Sequence, residues 1–214
     1  MGYSQAQKVQ GHQKILDIAG RQIKERGLES LSIDALMKKA GLTKGAFYGH
    51  FASRDELLLE ATREAGKSGN AVLNSLIKNG VHPSFETVID AYLDWQHVVN
   101  PGYGCAVCAL AGEAKSAPEP VKAELTDNFE NQVRFIAKSI GGKRAIEQAR
   151  AVMSAFIGAI SIARTLSDET LAKSIVTETR NLLLQSVKTV ATDVRRVRRR
   201  TARPSRRKNP NLNH

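Results

Sequence analysis

The chain has 214 residues and 23.4 kDa, with 42% hydrophobic and 25% charged residues, which predicts one or two globular domains and excludes whole-chain disorder. No run approaches ~18 consecutive apolar residues, so no membrane span is expected. The opening MGYSQAQKVQGHQKI has no apolar h-region of a secretory signal, and Ala6 stands where a myristoylation signal needs Ser or Thr.

Only two cysteines occur, Cys105 and Cys108, so a disulfide scaffold is excluded and a cytoplasmic location is expected. The net charge of +11 is uneven. Residues 1–50 hold 8 Lys/Arg against 4 Asp/Glu, residues 51–194 hold 15 against 17, and residues 195–214 hold 9 against none. Two basic ends flanking a near-neutral middle predict a polyanionic partner, nucleic acid or an anionic surface.

In chain order, residues 12–26 place Ile15, Leu16, Ala19 and Ile23 on one helical stripe, and Gly27 supplies a stop. Ser32 is a good N-cap for a short helix over 33–39, ended by Ala40-Gly41. Thr43 caps a second short helix over 44–50. Ser53 with Glu56 forms a capping box for a longer helix carrying Leu57, Leu58, Ala61 and Ala65. Gly66, Gly69, Gly80 and Pro83 mark a looser stretch.

A helix is predicted over 84–99, with Phe85, Val88, Ile89, Tyr92 and Trp95 inward. A short helix is predicted over 105–113. Three long ones follow, over 119–139, over 144–166, and from Asp168 onward. No internal repeat and no convincing strand is legible, so the fold class is all-α.

Two short helices joined by a tight turn at Gly41 and packed on a longer one describe a helix-turn-helix unit. The second is polar-faced: Lys44, Gly45, Ala46, Phe47, Tyr48, Gly49 and His50. Phe47 and Phe51 can anchor it, leaving Tyr48 beside Lys44 on an exposed face. Gly45, Ala46 and Gly49 allow close backbone approach. Lys44 can reach a phosphate or a guanine edge, and the Tyr48 hydroxyl can donate to a phosphate. The same residues also admit plainer readings: Ser32 and Thr43 as caps only, His50 as a core histidine, Lys44 as a surface lysine.

The stretch LSIDALMKKAGLTKGAFYGHFASRDELL over 31–58 resembles the DNA-binding signature of the tetracycline-repressor-like (TetR/AcrR) regulators. Ala40-Gly41, Gly45, Phe47-Tyr48, His50-Phe51, Arg54 and Leu57-Leu58 carry the match. Arg54 stands where that family more often has Lys. The resemblance is strong over residues 10–66 and general beyond. It implies an N-terminal three-helix DNA-binding domain over 1–66, an effector-binding and dimerisation domain over 67–194, and a tail over 195–214 that is no feature of the family. It implies that Ser32, Thr43, Lys44, Gly45, Ala46, Tyr48, His50 and Arg54 serve DNA binding. It further implies a double-stranded operator, a homodimer and an unidentified small-molecule effector as partners.

For the body, residues 152–163 are apolar nearly all round and the last helix has a continuous apolar stripe, which favours an isologous interface. Tyr92, Trp95, Cys105, Cys108, Phe129, Val133, Met153 and Phe156 are candidate effector-pocket residues, with ordinary core packing as the other reading. The CxxC pair has four readings: a zinc site, a thiol redox enzyme, a thiol sensor with pKa lowered in a helix first turn, or small apolar core residues. The tail RRVRRRTARPSRRK can add sequence-independent phosphate contacts.

The expectation is a nucleoid-associated regulator of transcription, most simply a repressor released from a palindromic operator by a small-molecule or thiol-reactive effector. No enzyme, metal, cofactor or membrane is expected. Its rivals are a non-specific DNA-compacting protein driven by the tail and a CxxC thiol redox protein.

Overall fold

The computed structural model describes the backbone of residues 5–201 and the side chains of residues 5–186; the reading of the tail over 195–214 lies outside those side chains. Among the described residues the fold is all-α. Nine α-helices are joined by short 3-10 turns, and the one β feature is an isolated bridge between Lys78 and Val81.

The N-terminal unit comprises α1 (Gln5–Arg26), α2 (Ile33–Ala40), a 3-10 helix (Lys44–Gly49) and the first half of α3 (Arg54–Ser75). Ile15, Ile23, Leu36, Met37, Phe47, Phe51, Leu57 and Leu58 are buried in its core. Gly41 closes α2 in the left-handed conformation, with its N–H on Lys38 O at 3.1 Å and Leu42 N–H on Met37 O at 2.9 Å. This is a Schellman stop, and it sets the tight turn into the 3-10 helix. At Ser53 the side chain accepts from Glu56 N–H, while the Glu56 carboxylate takes the Ala52 N–H.

Two expectations are corrected. Gly66 and Gly69 do not loosen the chain; α3 runs through both to Ser75. They are contact glycines. A Cβ on Gly66 would collide with the buried Asn128 side chain of α7 (Glu119–Ile140), and one on Gly69 would stand in ordinary contact, 3.5 Å from the backbone of Gly104 and Cys105. The helix expected over 84–99 is two, α4 (Phe85–Tyr92) and α5 (Trp95–Val99). The break is caused by Asp94, whose carboxylate accepts from Gln96 N–H at 2.7 Å and so starts a new helix instead of continuing the old one.

The C-terminal body adds α6 (Ala106–Leu110), α7, α8 (Ala145–Thr165) and α9 (Glu169–Thr201). Val88, Ile89, Val133, Ile136, Met153, Phe156 and Ile160 are fully buried at its centre. By length and composition α8 is apolar enough to cross a membrane. In this fold it packs between α7 and α9 and puts Val152, Met153, Phe156, Ala159, Ile160 and Ala163 into the core. Ile162 of α8 and Leu171 and Leu182 of α9 are exposed, and Gly158 is half-buried. Because α3 crosses residue 66 unbroken, the two units share one helix.

Candidate DNA interface and effector cavity

The candidate reading element is a 3-10 helix, where the sequence spacing predicts an α-helix. In a 3-10 helix residues i and i+3 eclipse, which puts Tyr48 in register with Gly45. Phe47 is fully buried and packs tilted on Phe51 with ring centroids 5.5 Å apart, fixing the element to the core. Thr43, Lys44, Gly45, Tyr48 and Gly49 face outward, with Tyr48 73% exposed. A Cβ placed on Gly45 or Gly49 would meet nothing within 4 Å. Ala46 is half-buried.

Ser32 and Thr43 occupy N-cap positions in extended backbone, but neither side chain makes the capping hydrogen bond that the sequence predicts. Both residues are exposed. The Lys44 ammonium is not free: it pairs with Asp34 at 2.9 Å, and that carboxylate raises its pKa. Arg54 is half-buried and pairs with Glu29 at 3.2 Å. His50 is half-buried near His12 and Phe51, with its Nδ1 buried and unpartnered. Burial, then the His12 and Lys8 charges, lowers its pKa. His12 is a tie that sequence reasoning missed: it stacks on Phe51 and its Nε2 meets Glu60 at 2.8 Å, joining α1 to α3.

In the body a cavity of about 440 Å³ lies among α3, α4, α5 and α7, within the usual range for small-molecule sites. Its inner wall is Gly69, Leu73, Tyr92, Cys105 and Gln132, all buried; Asp94, Gln96, Asn100 and Tyr103 are exposed at its mouth. Of the candidate pocket residues, Tyr92 and Cys105 line this cavity. Trp95 and Cys108 line a second, more open groove of about 890 Å³. Phe129, Val133, Met153 and Phe156 are core: Val133, Met153 and Phe156 are fully buried, and Phe129 packs against them. The periodic aromatic and aliphatic stripe reported burial, not a lining. The overlooked signal was polar: Asn128 and Gln132, four apart, interrupt the apolar face of α7, and both are buried.

The cysteines sit at the start of α6, with the Cys105 sulfur as N-cap acceptor for Cys108 N–H and its thiol donating to Gln132 Oε1 at 3.2 Å. The expected lowering of thiol pKa at a helix start is overturned for Cys108, whose burial pushes it up to about 11. Desolvation of the thiolate outweighs one turn of helix dipole. Among the described residues no group of three His, Cys, Asp or Glu side chains is placed to hold a metal ion.

The cavity wall is tied to α1. Lys24 donates to Ser68 Oγ at 2.7 Å and to Gly104 O at 3.2 Å, and burial lowers its pKa to about 8. The Arg21 guanidinium lies 4.5 Å from the Tyr103 ring centroid. Glu113 accepts from Leu28 N–H at 2.8 Å, lying where a Cβ on Gly27 would be. His97 accepts the Cys105 N–H on Nε2 at 3.1 Å and meets Tyr92 O with Nδ1 at 2.9 Å, which assigns the proton to Nδ1. Burial lowers the His97 pKa to about 4. None of this polar latch is periodic in sequence, so none was legible there.

Residues 15–61 match the family model described as bacterial regulatory proteins, tetR family. An uncharacterized HTH-type transcriptional regulator of Mycobacterium tuberculosis (strain ATCC 25618 / H37Rv) is 31% identical over 173 residues, covering 76% of this chain and 88% of that protein. The Bacillus subtilis regulator YvdT is 37% identical over 87 residues, 39% of this chain and 42% of that one. Among solved structures, a TetR-family regulator from Cytophaga hutchinsonii aligns with TM-score 0.68 at 18% identity, covering 86% of this chain and 98% of that one. Reduced Escherichia coli NemR aligns at TM-score 0.64 and 18% identity, over 80% and 96%. The chain belongs to the tetR family and is a DNA-binding transcriptional regulator of the helix-turn-helix type.

Proposed function

We propose that the protein is a homodimeric repressor that holds a palindromic operator and releases it when a small molecule enters the cavity lined by Tyr92 and Cys105. The observation that carries this reading is the double duty of α1. Its apolar face packs the reading unit through Ile15 and Ile23, and its last turns also hold the cavity wall through Arg21 and Lys24. A ligand that shifts the 103–105 segment therefore shifts a helix on which the reading element rests, a population shift between two states of the dimer.

On this reading Thr43, Lys44, Gly45, Ala46 and Tyr48 meet the major groove, while Ser32, His50 and Arg54 border it. A small-molecule effector is favoured over a thiol-reactive one because Cys108 is held as the neutral thiol, a poor nucleophile. Regulation, not catalysis, is the proposed role, and it places the protein with the chromosome in the cytoplasm.

The test is fluorescence anisotropy at physiological salt. One probe is the DNA immediately upstream of the protein's own gene and the other is a shuffled duplex of equal composition. The expected result is at least hundredfold preference for the upstream DNA, about 2.7 kcal/mol. Equal binding of both, persisting after removal of residues 195–214, overturns the operator at that locus. Equal binding that becomes selective on that removal assigns the non-specific component to the arginine tail.

A further inference from the structure

The first turns of α1 lie outside every core of the molecule. The helix begins at Gln5, yet its first buried residue is Ile15, and residues 5–10 are all exposed. About 15 Å of helix therefore runs ahead of the core that α1 packs. Helices of globular proteins owe most of their stability to a packed face, and this segment has none. Val9 is 62% exposed, and Lys8 and Lys14 are exposed as well.

The segment runs beside the candidate reading element. A Cβ on Gly11 would stand 3.4 Å from His50 Cε1 and 3.8 Å from Leu42 Cδ1. Lys8 and Lys14 lie three residues to either side of Gly11, so both are its neighbours on the helix surface. The Lys14 ammonium is 3.8 Å from the Cβ position of Gly41, in the turn that enters the element. Burial first, then the His12 and Lys8 charges, lower the pKa of His50, which puts Lys8 near the element's exit. Neither ammonium has an ion pair or hydrogen bond among the described residues, while carboxylates of the same unit are held by other groups. Asp17 accepts from Gln13 at 2.9 Å, Glu60 meets His12 at 2.8 Å, Asp34 pairs with Lys44 at 2.9 Å and Glu29 with Arg54 at 3.2 Å. The cations of the expected DNA contacts, Lys44 and Arg54, are thus paired, and two uncompensated ones stand beside them. Such charges favour a polyanion, and the polyanion that reaches this face is DNA.

We propose that Lys8 and Lys14 of α1 are a phosphate clamp, holding the DNA backbone at the entry and the exit of the reading element. The contacts carry no base information. They position residues 44–49 and add affinity for any duplex. The proposal rests on residues 44–49 facing DNA, and it needs neither the effector cavity nor a particular operator.

The test is anisotropy titration of the full chain on a random duplex of about 30 base pairs, from about 0.05 to about 0.3 M salt. Lys8→Gln and Lys14→Gln are each expected to flatten the slope of log K against log salt by about 0.9. The double variant should flatten it by about 1.8 and bind at least tenfold more weakly at ~0.1 M salt. Glutamine suits a helix as well as lysine does and both sites are exposed, so the unfolding midpoints should match the parent's. The control is Lys138→Gln with Lys143→Gln, two exposed body lysines whose loss removes the same net charge; its slope should equal the parent's.

The proposal is overturned if either single variant keeps the parent slope, if the body control flattens it as much, or if the parent binds no duplex. Tyr48→Ala is titrated in parallel to report on the reading element itself. Weaker binding in Tyr48→Ala with an unchanged slope in the α1 double variant overturns the clamp alone. A flattened slope in the double variant with unimpaired Tyr48→Ala upholds the clamp and moves the reading face off Tyr48.

Discussion

On the proposed reading face, Gly45 and Asp34 would act in opposite ways. A methyl on Gly45 would touch nothing in the protein, and alanine favours helical backbone over glycine by up to about 1 kcal/mol. Gly45→Ala is therefore expected to keep or raise the unfolding midpoint while weakening upstream-DNA binding at least tenfold, because the methyl stands between backbone and groove. Denaturation and anisotropy on the same sample check this, and unimpaired DNA binding would remove Gly45 from the interface. Asp34 neutralises Lys44 across 2.9 Å at the exposed surface. Asp34→Asn frees that ammonium for a phosphate. Binding to specific and random duplexes should tighten alike, with the slope of log K against log salt steeper by about 0.9. An unchanged slope would mean that Lys44 makes no phosphate contact. At this scale the exposure of Lys44, Gly45 and Tyr48 and the anchoring of their element by buried Phe47 were legible from the spacing of polar and apolar residues. The Asp34 pair was not, because it joins positions on two elements whose approach only the turn at Gly41 sets.

Elements carry the titration behaviour. The α5 and α6 segment is organised around His97, which accepts from Cys105 N–H and holds its proton on Nδ1 toward Tyr92 O. Its folded pKa is about 4 against about 6.5 unfolded. Below pH 6.5 the unfolded chain takes up a proton that the folded chain refuses. Stability is therefore lost as pH falls from 6.5 toward 4, by about 2 kcal/mol at pH 5 from this residue. The lowered pKa of His50 acts in the same direction. His97→Gln keeps one acceptor and one donor in place and removes the titration. Urea unfolding at pH 7 and pH 5 should show the loss shrinking by about 2 kcal/mol in that variant, and an equal loss in both would rule out His97 as the sensor. Lys24 has the opposite range: with its pKa lowered to about 8, it makes the fold more stable as pH rises from 8 to 10.5. Helix existence and the helix-turn-helix order were legible from periodicity and caps. What failed was local competition. Asp94 recruited a backbone N–H and split a periodic stretch, and the glycines of α3 read as breakers although they admit Asn128 and the 104–105 backbone.

For the whole molecule, an outward apolar face on α8 and α9 gives the strongest reason to expect two copies. Ile162 is 50% and Leu182 66% exposed, and Leu171 is exposed as well. Such a stripe on the two helices that also build the core is what an isologous four-helix contact buries. Two reading units related by that axis would meet successive major grooves about 34–36 Å apart. Ile162→Glu changes a half-exposed position, so the monomer should keep its helix content and fold. Placed in the dimer interface, the carboxylate would lose water without gaining a partner. Sedimentation equilibrium is expected to find the parent dimeric and Ile162→Glu monomeric at micromolar concentration. The variant should bind a palindromic duplex no better than one carrying a single half-site, since the coupling between two heads is an effective concentration set by the dimer. A parent that sediments as a monomer sinks the paired-head model. A variant that stays dimeric moves the interface off α8 and leaves Leu171 and Leu182 of α9 as the next positions to charge.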